Sequence, residues 1–188
     1  MSSIKLTVDQ LIHRFDFEPL PVEGGLFIQT YCSNEMISGD GLPERYPRHQ
    51  RPFGTAILYL FTNKQNSFSA MHKLPTDEIY HFYLGDPIEF LLLYPDTTSR
   101  RLILGQDIMN GQQIQYVVPR GIYMGARLVP GGELALIGTT MAPGFDESDY
   151  TGAERDWLIE RFPAEAKLIT QLTRPGEPLM MNRRDAKD

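Results

Sequence analysis

Short apolar runs, each closed by a proline or glycine turn, succeed one another through most of this chain, and that rhythm limits its fold more than any other feature. Residues 53–61, 87–94, 101–104, 113–118, 122–129 and 133–140 are rich in Phe, Tyr, Leu, Ile and Val. Between the central runs stand Pro75-Thr76, Gly85-Asp86-Pro87, Pro95-Asp96-Thr97-Thr98, Pro119-Arg120-Gly121 and Pro130-Gly131-Gly132. Short runs bounded by turn formers read as strands, and many of them at regular spacing predict an all-β sandwich or barrel.

Helical periodicity is confined to the ends. Thr7-Val8-Asp9-Gln10 matches a capping box, and Leu11, Ile12 and Phe15 share one face, which predicts a helix over 8–14. Trp157, Leu158, Ile159 and Phe162, then Leu168, Ile169 and Leu172, predict two short helices broken near Pro163. The barrel core is expected at about 22–149 and a helical extension at about 150–175. No repeat or boundary divides the chain, so 1–188 reads as one domain. Segment 33–52 lacks periodicity and is expected to be a long surface loop with His49 exposed. Glu23-Gly24-Gly25 leads into a strand at 27–31. Its glycines serve either a turn or the close approach of a ligand. The segment from Arg174 is polar and expected to fray, with 179–181 able to dock on the body.

The net charge of −6 argues against a nucleic-acid surface, which needs clustered Lys and Arg. One cysteine, Cys32, cannot make an internal disulfide, which points to a reducing compartment. No run resembles a signal peptide or reaches the ~18 residues of a membrane span. The expectation is a cytoplasmic protein with no membrane partner.

Chemistry concentrates in one stretch, where His72, Asp77, Glu78 and His81 fall within ten positions. His and Glu are the common side chains for proton transfer and for binding borderline metals. Alternation on a strand sends Glu78, Tyr80 and Phe82 one way and Ile79, His81 and Tyr83 the other. If Glu78 faces inward, His81 faces out unless a bulge intervenes, and the facing of His72 stays open. The plainer alternative is one histidine hydrogen-bonded in the core and one at an interface. Cys32 has no His or Asp near it in sequence and there is no Gly-x-Ser-x-Gly elbow, which argues against covalent catalysis. No glycine loop opens a helix with Lys-Ser or Lys-Thr, which argues against nucleotide hydrolysis. Tyr59, Tyr80, Tyr83 and Tyr123 carry hydroxyls into apolar strands, and a buried hydroxyl needs a partner.

Several motifs in order resemble one family. Glu23-Gly24-Gly25, Thr55-Ala56-Ile57, the run Asp77 to Pro87, Val118 to Tyr123 and Ala142-Pro143-Gly144-Phe145 are similar to the "cupin-5" branch of the cupin superfamily, over about 8–149. The resemblance implies a cupin double-stranded β-helix, a jelly-roll barrel, with a short N-terminal helix and C-terminal helices. It also implies a central pocket and a homodimer, and brings no established activity. In metal-binding cupins two histidines one residue apart precede the Glu; here Ala70 and His72 stand there. The last ligand position is Met124, and a thioether is a poor partner for hard divalent ions. No metal is therefore assigned; a divalent ion, if bound, would have only His72 and Glu78.

The favoured expectation is a small-molecule-binding cupin acting as a metal-independent epimerase or isomerase on a sugar-like or other small polar metabolite. His72 and Glu78 would be catalytic. Glu23, Tyr59, His81, Tyr123 and Met124 would bind ligand. The alternatives are a divalent-metal oxygenase or isomerase, and a non-catalytic metabolite-binding protein.

Overall fold

The computed structural model describes residues 6–64 and 67–181. Among them are three α-helices and thirteen strands, and every strand ladder is antiparallel. One sheet has six strands in the order β1 (Glu18–Pro19), β2 (Leu26–Cys32), β5 (Thr55–Thr62), β12 (Leu134–Met141), β7 (Glu78–Gly85) and β10 (Gln115–Val118). The other has five, ordered β13 (Thr151–Gly152), β6 (Phe68–Lys73), β11 (Tyr123–Leu128), β8 (Ile88–Leu93) and β9 (Ser99–Leu104). A separate ladder joins β3 (Met36–Ile37) to β4 (Arg51–Pro52).

The sheets face each other, and alternation along each strand supplies the filling. Phe61, Tyr80, Phe82 and Ile137 from one sheet meet Phe90, Leu92, Leu102, Met124 and Ala126 from the other. Residues 90–93 of β8 read as a continuous apolar run because both faces of that strand are covered. Phe90 and Leu92 point inward, while Leu91 and Leu93 pack under the C-terminal helices α2 (Arg155–Arg161) and α3 (Ala166–Gln171). A 3-10 turn over Pro163–Glu165 separates those helices, where the proline predicts a break. On the far side, α1 (Val8–Phe15) lays Leu11, Ile12 and Phe15 over Leu60, Leu134 and Leu136. Its predicted capping box is present, with Gln10 N–H donating to the Thr7 hydroxyl and Thr7 N–H to the Gln10 side chain.

Two expectations need correction. Segment 33–52 is not simply a surface loop, because Tyr46 is buried and Arg51 is wholly enclosed. The Arg51 guanidinium packs on the Tyr46 ring and donates two hydrogen bonds to Asp149. That pair pins β4 to the turn after β12, which a polar composition could not reveal. His49 is only partly exposed and pairs with Asp146 at 3.0 Å. The segment from Arg174 does not fray as far as Met181. Gly152 N–H donates to the Leu179 carbonyl, and Met181 is buried beside Leu74, Met141 and Tyr150. Residues 65–66 between β5 and β6, and the C-terminal pair Arg183-Arg184, lie outside the described residues.

Candidate functional site

Between the sheets, at the end the core leaves unfilled, lies a cavity of about 640 Å³. Inward positions of the six-stranded sheet form one wall: Thr55, Ile57 and Tyr59 of β5, Ile137, Thr139 and Met141 of β12, and Glu78 and Tyr80 of β7. Val22 and Glu23 close one side, Phe145 to Glu147 another, and Pro178, Met180 and Met181 of the C-terminal segment lie across it.

Glu78 is the chemical centre. Alternation on β7 turns it inward with Tyr80 and Phe82. The Tyr80 hydroxyl donates to Glu78 Oε2 at 2.8 Å, and His72 Nε2 lies 3.8 Å from Oε1. Burial pushes the Glu78 carboxyl up to about 6 from an ordinary 4.5; His72 opposes the shift, and Glu23 adds to it.

His72 faces the same interior because β6 is bulged. Met124 pairs with His72 and Ala126 with Ser69, so three steps on β6 answer two on β11. The extra residue turns Ser69 and His72 to one side, which plain alternation forbids. At the bulge, Ala70 N–H donates to the Glu23 carbonyl and Met71 N–H to the Leu172 carbonyl. His72 Nδ1 sits 2.7 Å from the Ala70 carbonyl, which can only accept, so Nδ1 carries the proton and Nε2 is left toward Glu78. The ring stacks on Tyr150 and is 1% exposed. His72 therefore stands behind Glu78, outside the cavity lining, and can touch a ligand only through it. That corrects the expectation of His72 as the group in direct contact with substrate.

Glu23 and Tyr59 both line the cavity. Ser69 Oγ donates to Glu23 Oε1 at 2.7 Å. The Tyr59 hydroxyl donates to the Gly24 carbonyl at 2.6 Å, and burial, with help from Glu23, raises its pKa far above the usual phenol value. Gly24 and Gly25 both have positive φ, and a Cβ on Gly25 would lie 2.2 Å from the Tyr59 hydroxyl. Of the two roles open for these glycines, the structure shows a sharp turn packed against Tyr59 and Arg174.

Three expected ligand-binding residues are elsewhere. His81 lies on the outer face, hydrogen-bonded to Thr140 and Gln115. β7 is bulged, but between Phe82 and Leu84, too late to turn His81 inward. Tyr123 also points outward, edge-on to Trp157 with Lys73 over its ring, because its neighbour Met124 takes the inward place. Met124 is fully enclosed beneath the Tyr80 hydroxyl, 3.7 Å from its sulfur, and supports the wall without lining it. The sequence reading missed Ser69 and Tyr150. The bulge hid the first, and the second lies beyond the last strand run. Thr139 was within reach, since Ile137, Thr139 and Met141 alternate on the strand paired with Tyr59.

The donor set does not fit a metal ion. His72 and Glu78 are two donors, Met124 offers only a buried thioether, and no three of His, Cys, Asp or Glu gather suitably among the described residues.

Among solved structures, a protein from Shewanella oneidensis superposes with a TM-score of 0.77 at 24% identity, covering 91% of this chain and 99% of that one. A hypothetical protein from Leishmania major gives 0.77 at 24%, covering 89% and 99%. Both establish the fold. The uncharacterized protein YML079W of Saccharomyces cerevisiae is 32% identical over 139 residues, 69% of this chain and 67% of its own. The family model Cupin_5, described as Cupin superfamily (DUF985), matches residues 9–153. With its two facing antiparallel sheets and this match over most of its length, the chain belongs to the Cupin_5 family of the cupin superfamily.

Proposed function

We propose that the cavity binds a small polar metabolite and moves a proton on it without a metal, as an isomerase or epimerase does. The observation that carries this reading is Glu78, a carboxyl on a largely dry wall whose pKa of about 6 keeps both its forms populated near neutral pH. As carboxylate, Glu78 takes the proton from a carbon next to a carbonyl. As acid, it returns that proton to the former carbonyl carbon, while the hydroxyl proton passes from one ligand oxygen to the other, which completes the isomerisation of a hydroxy-carbonyl compound. Tyr80 donates to the oxygen not engaged in transfer and fixes the carboxyl plane. His72 is a positioning residue, held by the Ala70 carbonyl and Tyr150 and facing the other oxygen.

The working unit in this reading is a homodimer in a reducing compartment such as the cytoplasm. Its support is the outer face near β7 and β10, where Tyr83, Ile114 and Val117 are exposed large apolar side chains, and the exposed thiol of Cys32.

Deuterium wash-in tests the chemistry without knowledge of the substrate. The protein is incubated in D₂O with pooled sugars, amino sugars and hydroxy-carbonyl compounds, and labelling is read by mass spectrometry. At least one compound should gain deuterium, and Glu78→Gln should slow the labelling by about 10²–10⁴. Labelling at the wild-type rate in Glu78→Gln, or none with any compound, refutes the proposal.

A further inference from the structure

Five hydroxyl-bearing residues line the cavity: Thr55, Tyr59, Ser69, Tyr80 and Thr139. Four of them are already engaged. Tyr59 donates to the Gly24 carbonyl, Ser69 to Glu23 and Tyr80 to Glu78, while the Thr55 oxygen accepts from Phe145 N–H. Thr139 is the exception. It is 8% exposed, and its hydroxyl neither donates nor accepts a hydrogen bond among the described residues. Nor is that oxygen sealed inside the wall, so it opens on the cavity. Its inward neighbours on β12, Ile137 and Met141, are apolar, and valine would fill the same volume. A hydroxyl withdrawn from bulk water with both its capacities unused is kept for what enters the cavity.

Its position relates it to Glu78. Thr139 lies opposite Tyr80 across the β12–β7 ladder. Glu78 is two residues from Tyr80 on the same inward face, so it is the diagonal neighbour of Thr139, about 7–8 Å away along the sheet. A two-carbon unit lying between them presents its carbon-bound hydrogen to the carboxyl and its oxygens to the hydroxyl. Tyr80 cannot take the second role, because its proton is committed to Glu78.

We infer that Thr139 is a second catalytic residue, which relays a proton between the two oxygens of a 2-hydroxy-carbonyl substrate. The inference rests on the proton transfer proposed for Glu78 and supplies the other half of that reaction. Glu78 takes the proton from the hydroxyl-bearing carbon, and the electron pair left behind forms a carbon–carbon double bond as the carbonyl opens onto its oxygen. Thr139 gives its proton to that oxygen and accepts the proton of the ligand hydroxyl, so no alkoxide is left on it. The carbonyl re-forms at the second carbon, and Glu78 returns its proton to the first. Each proton taken is given back, and no co-reactant is consumed. One hydroxyl serves two oxygens only when they lie on the same side of the carbon–carbon bond. The substrate class is therefore the 2-hydroxy aldehydes and ketones, simple sugars among them, held with both oxygens toward β12.

Two variants of the full chain provide the test: Thr139→Val, which keeps the shape without the hydroxyl, and Thr139→Ser, which keeps the hydroxyl. They are incubated in D₂O with aldoses, ketoses and the corresponding 2-deoxyaldoses. Mass spectrometry and NMR follow deuterium entering the recovered starting compound and the formation of its isomer. Thr139→Val should slow isomer formation by about 10²-fold and raise the ratio of labelled starting compound to isomer by roughly tenfold, and Thr139→Ser should restore most of both. A role in folding alone cannot move that ratio. With no hydrogen bond to lose, Thr139→Val should melt no lower than the wild type. A fall of about 2–4 °C, the cost of one lost hydrogen bond, would show the hydroxyl to be already partnered and overturn the inference. An unchanged ratio in Thr139→Val would overturn it too, as would 2-deoxyaldoses labelling as fast as their 2-hydroxy counterparts. In each of those cases wash-in that still depends on Glu78 leaves the proposed function standing. No wash-in with any compound removes both.

Discussion

Replacing Glu78 with Gln separates two electrostatic descriptions of the barrel interior that share the same coordinates. In one, Glu78 and His72 form a buried ion pair, and the carboxyl is more acidic than usual. In the other, burial outweighs His72 and the carboxyl is less acidic, moving up to about 6 from 4.5. At 1.36 kcal/mol per decade that difference amounts to roughly 2 kcal/mol. The sign follows from proton counting. Between pH 4.5 and about 6 the folded chain holds the Glu78 proton while the unfolded chain releases it, so stability falls as pH rises through that window. Glu78→Gln removes this contribution and has nearly the same shape. The unfolding free energy of the variant minus that of the wild type, from urea titrations at half-unit steps between pH 4.5 and 7, should therefore climb by about 2 kcal/mol. Melting temperatures should diverge by about 4–8 °C over the same range. Taking the difference cancels the other titrating groups. A flat difference would refute the burial argument, and a falling one would establish the ion pair in its place.

Tyr59→Phe leaves the Gly24 carbonyl without its hydroxyl donor and should cost about 1–2 kcal/mol in urea unfolding; no loss would mean that Tyr59 does not hold the turn carrying Glu23. Arg51→Ala strands Asp149 in a buried site and should cost about 3–5 kcal/mol, whereas Arg51→Met with Asp149→Leu should recover most of it. A single variant as stable as wild type would refute the anchoring role given to that pair. His81→Ala should leave deuterium wash-in unchanged, since the ring bonds to Thr140 and Gln115 on the outer face. Abolished wash-in would move His81 into the site. Elemental analysis of protein purified without an affinity tag should give metal well below one ion per chain, and a stoichiometric metal lost in His72→Ala would overturn the reading of the donor set.

The sequence made the sheets legible because their cues are local: alternation, apolar runs, and turn formers between them. The capping box at Thr7 and the break at Pro163 were local too. What stayed hidden depended on contacts across the fold. Arg51 looked solvated until Asp149, ninety-eight residues away, was seen to meet it inside. His72 could not be oriented, because a bulge is decided by what the strand pairs with on its far side. Here those partners are the Glu23 and Leu172 carbonyls rather than a regular ladder. Alternation did decide the outward facing of His81, conditional on Glu78 facing in. The same rule applied to Met124 would have removed Tyr123 from the site.

The departures from the metal-cupin pattern and the unusual acidity of Glu78 have one physical origin. A divalent ion at bonding distance from a carboxylate is the largest local charge and holds it ionised. With Ala70 and Met124 in place of ligands, a neutral thioether sits beneath Tyr80, and His72 stands at 3.8 Å without reaching bond distance. The largest influence on Glu78 is then loss of water, which favours the neutral acid and outweighs His72 and the Tyr80 hydrogen bond. In the proposed reading, a wall that could have served Lewis-acid chemistry is instead suited to proton transfer. On that same reading, the acidity of Glu78 and the charge of a ligand are coupled: a cationic group beside Glu78 would favour its ionised form and ready it to accept a proton, whereas an anion would favour its neutral form.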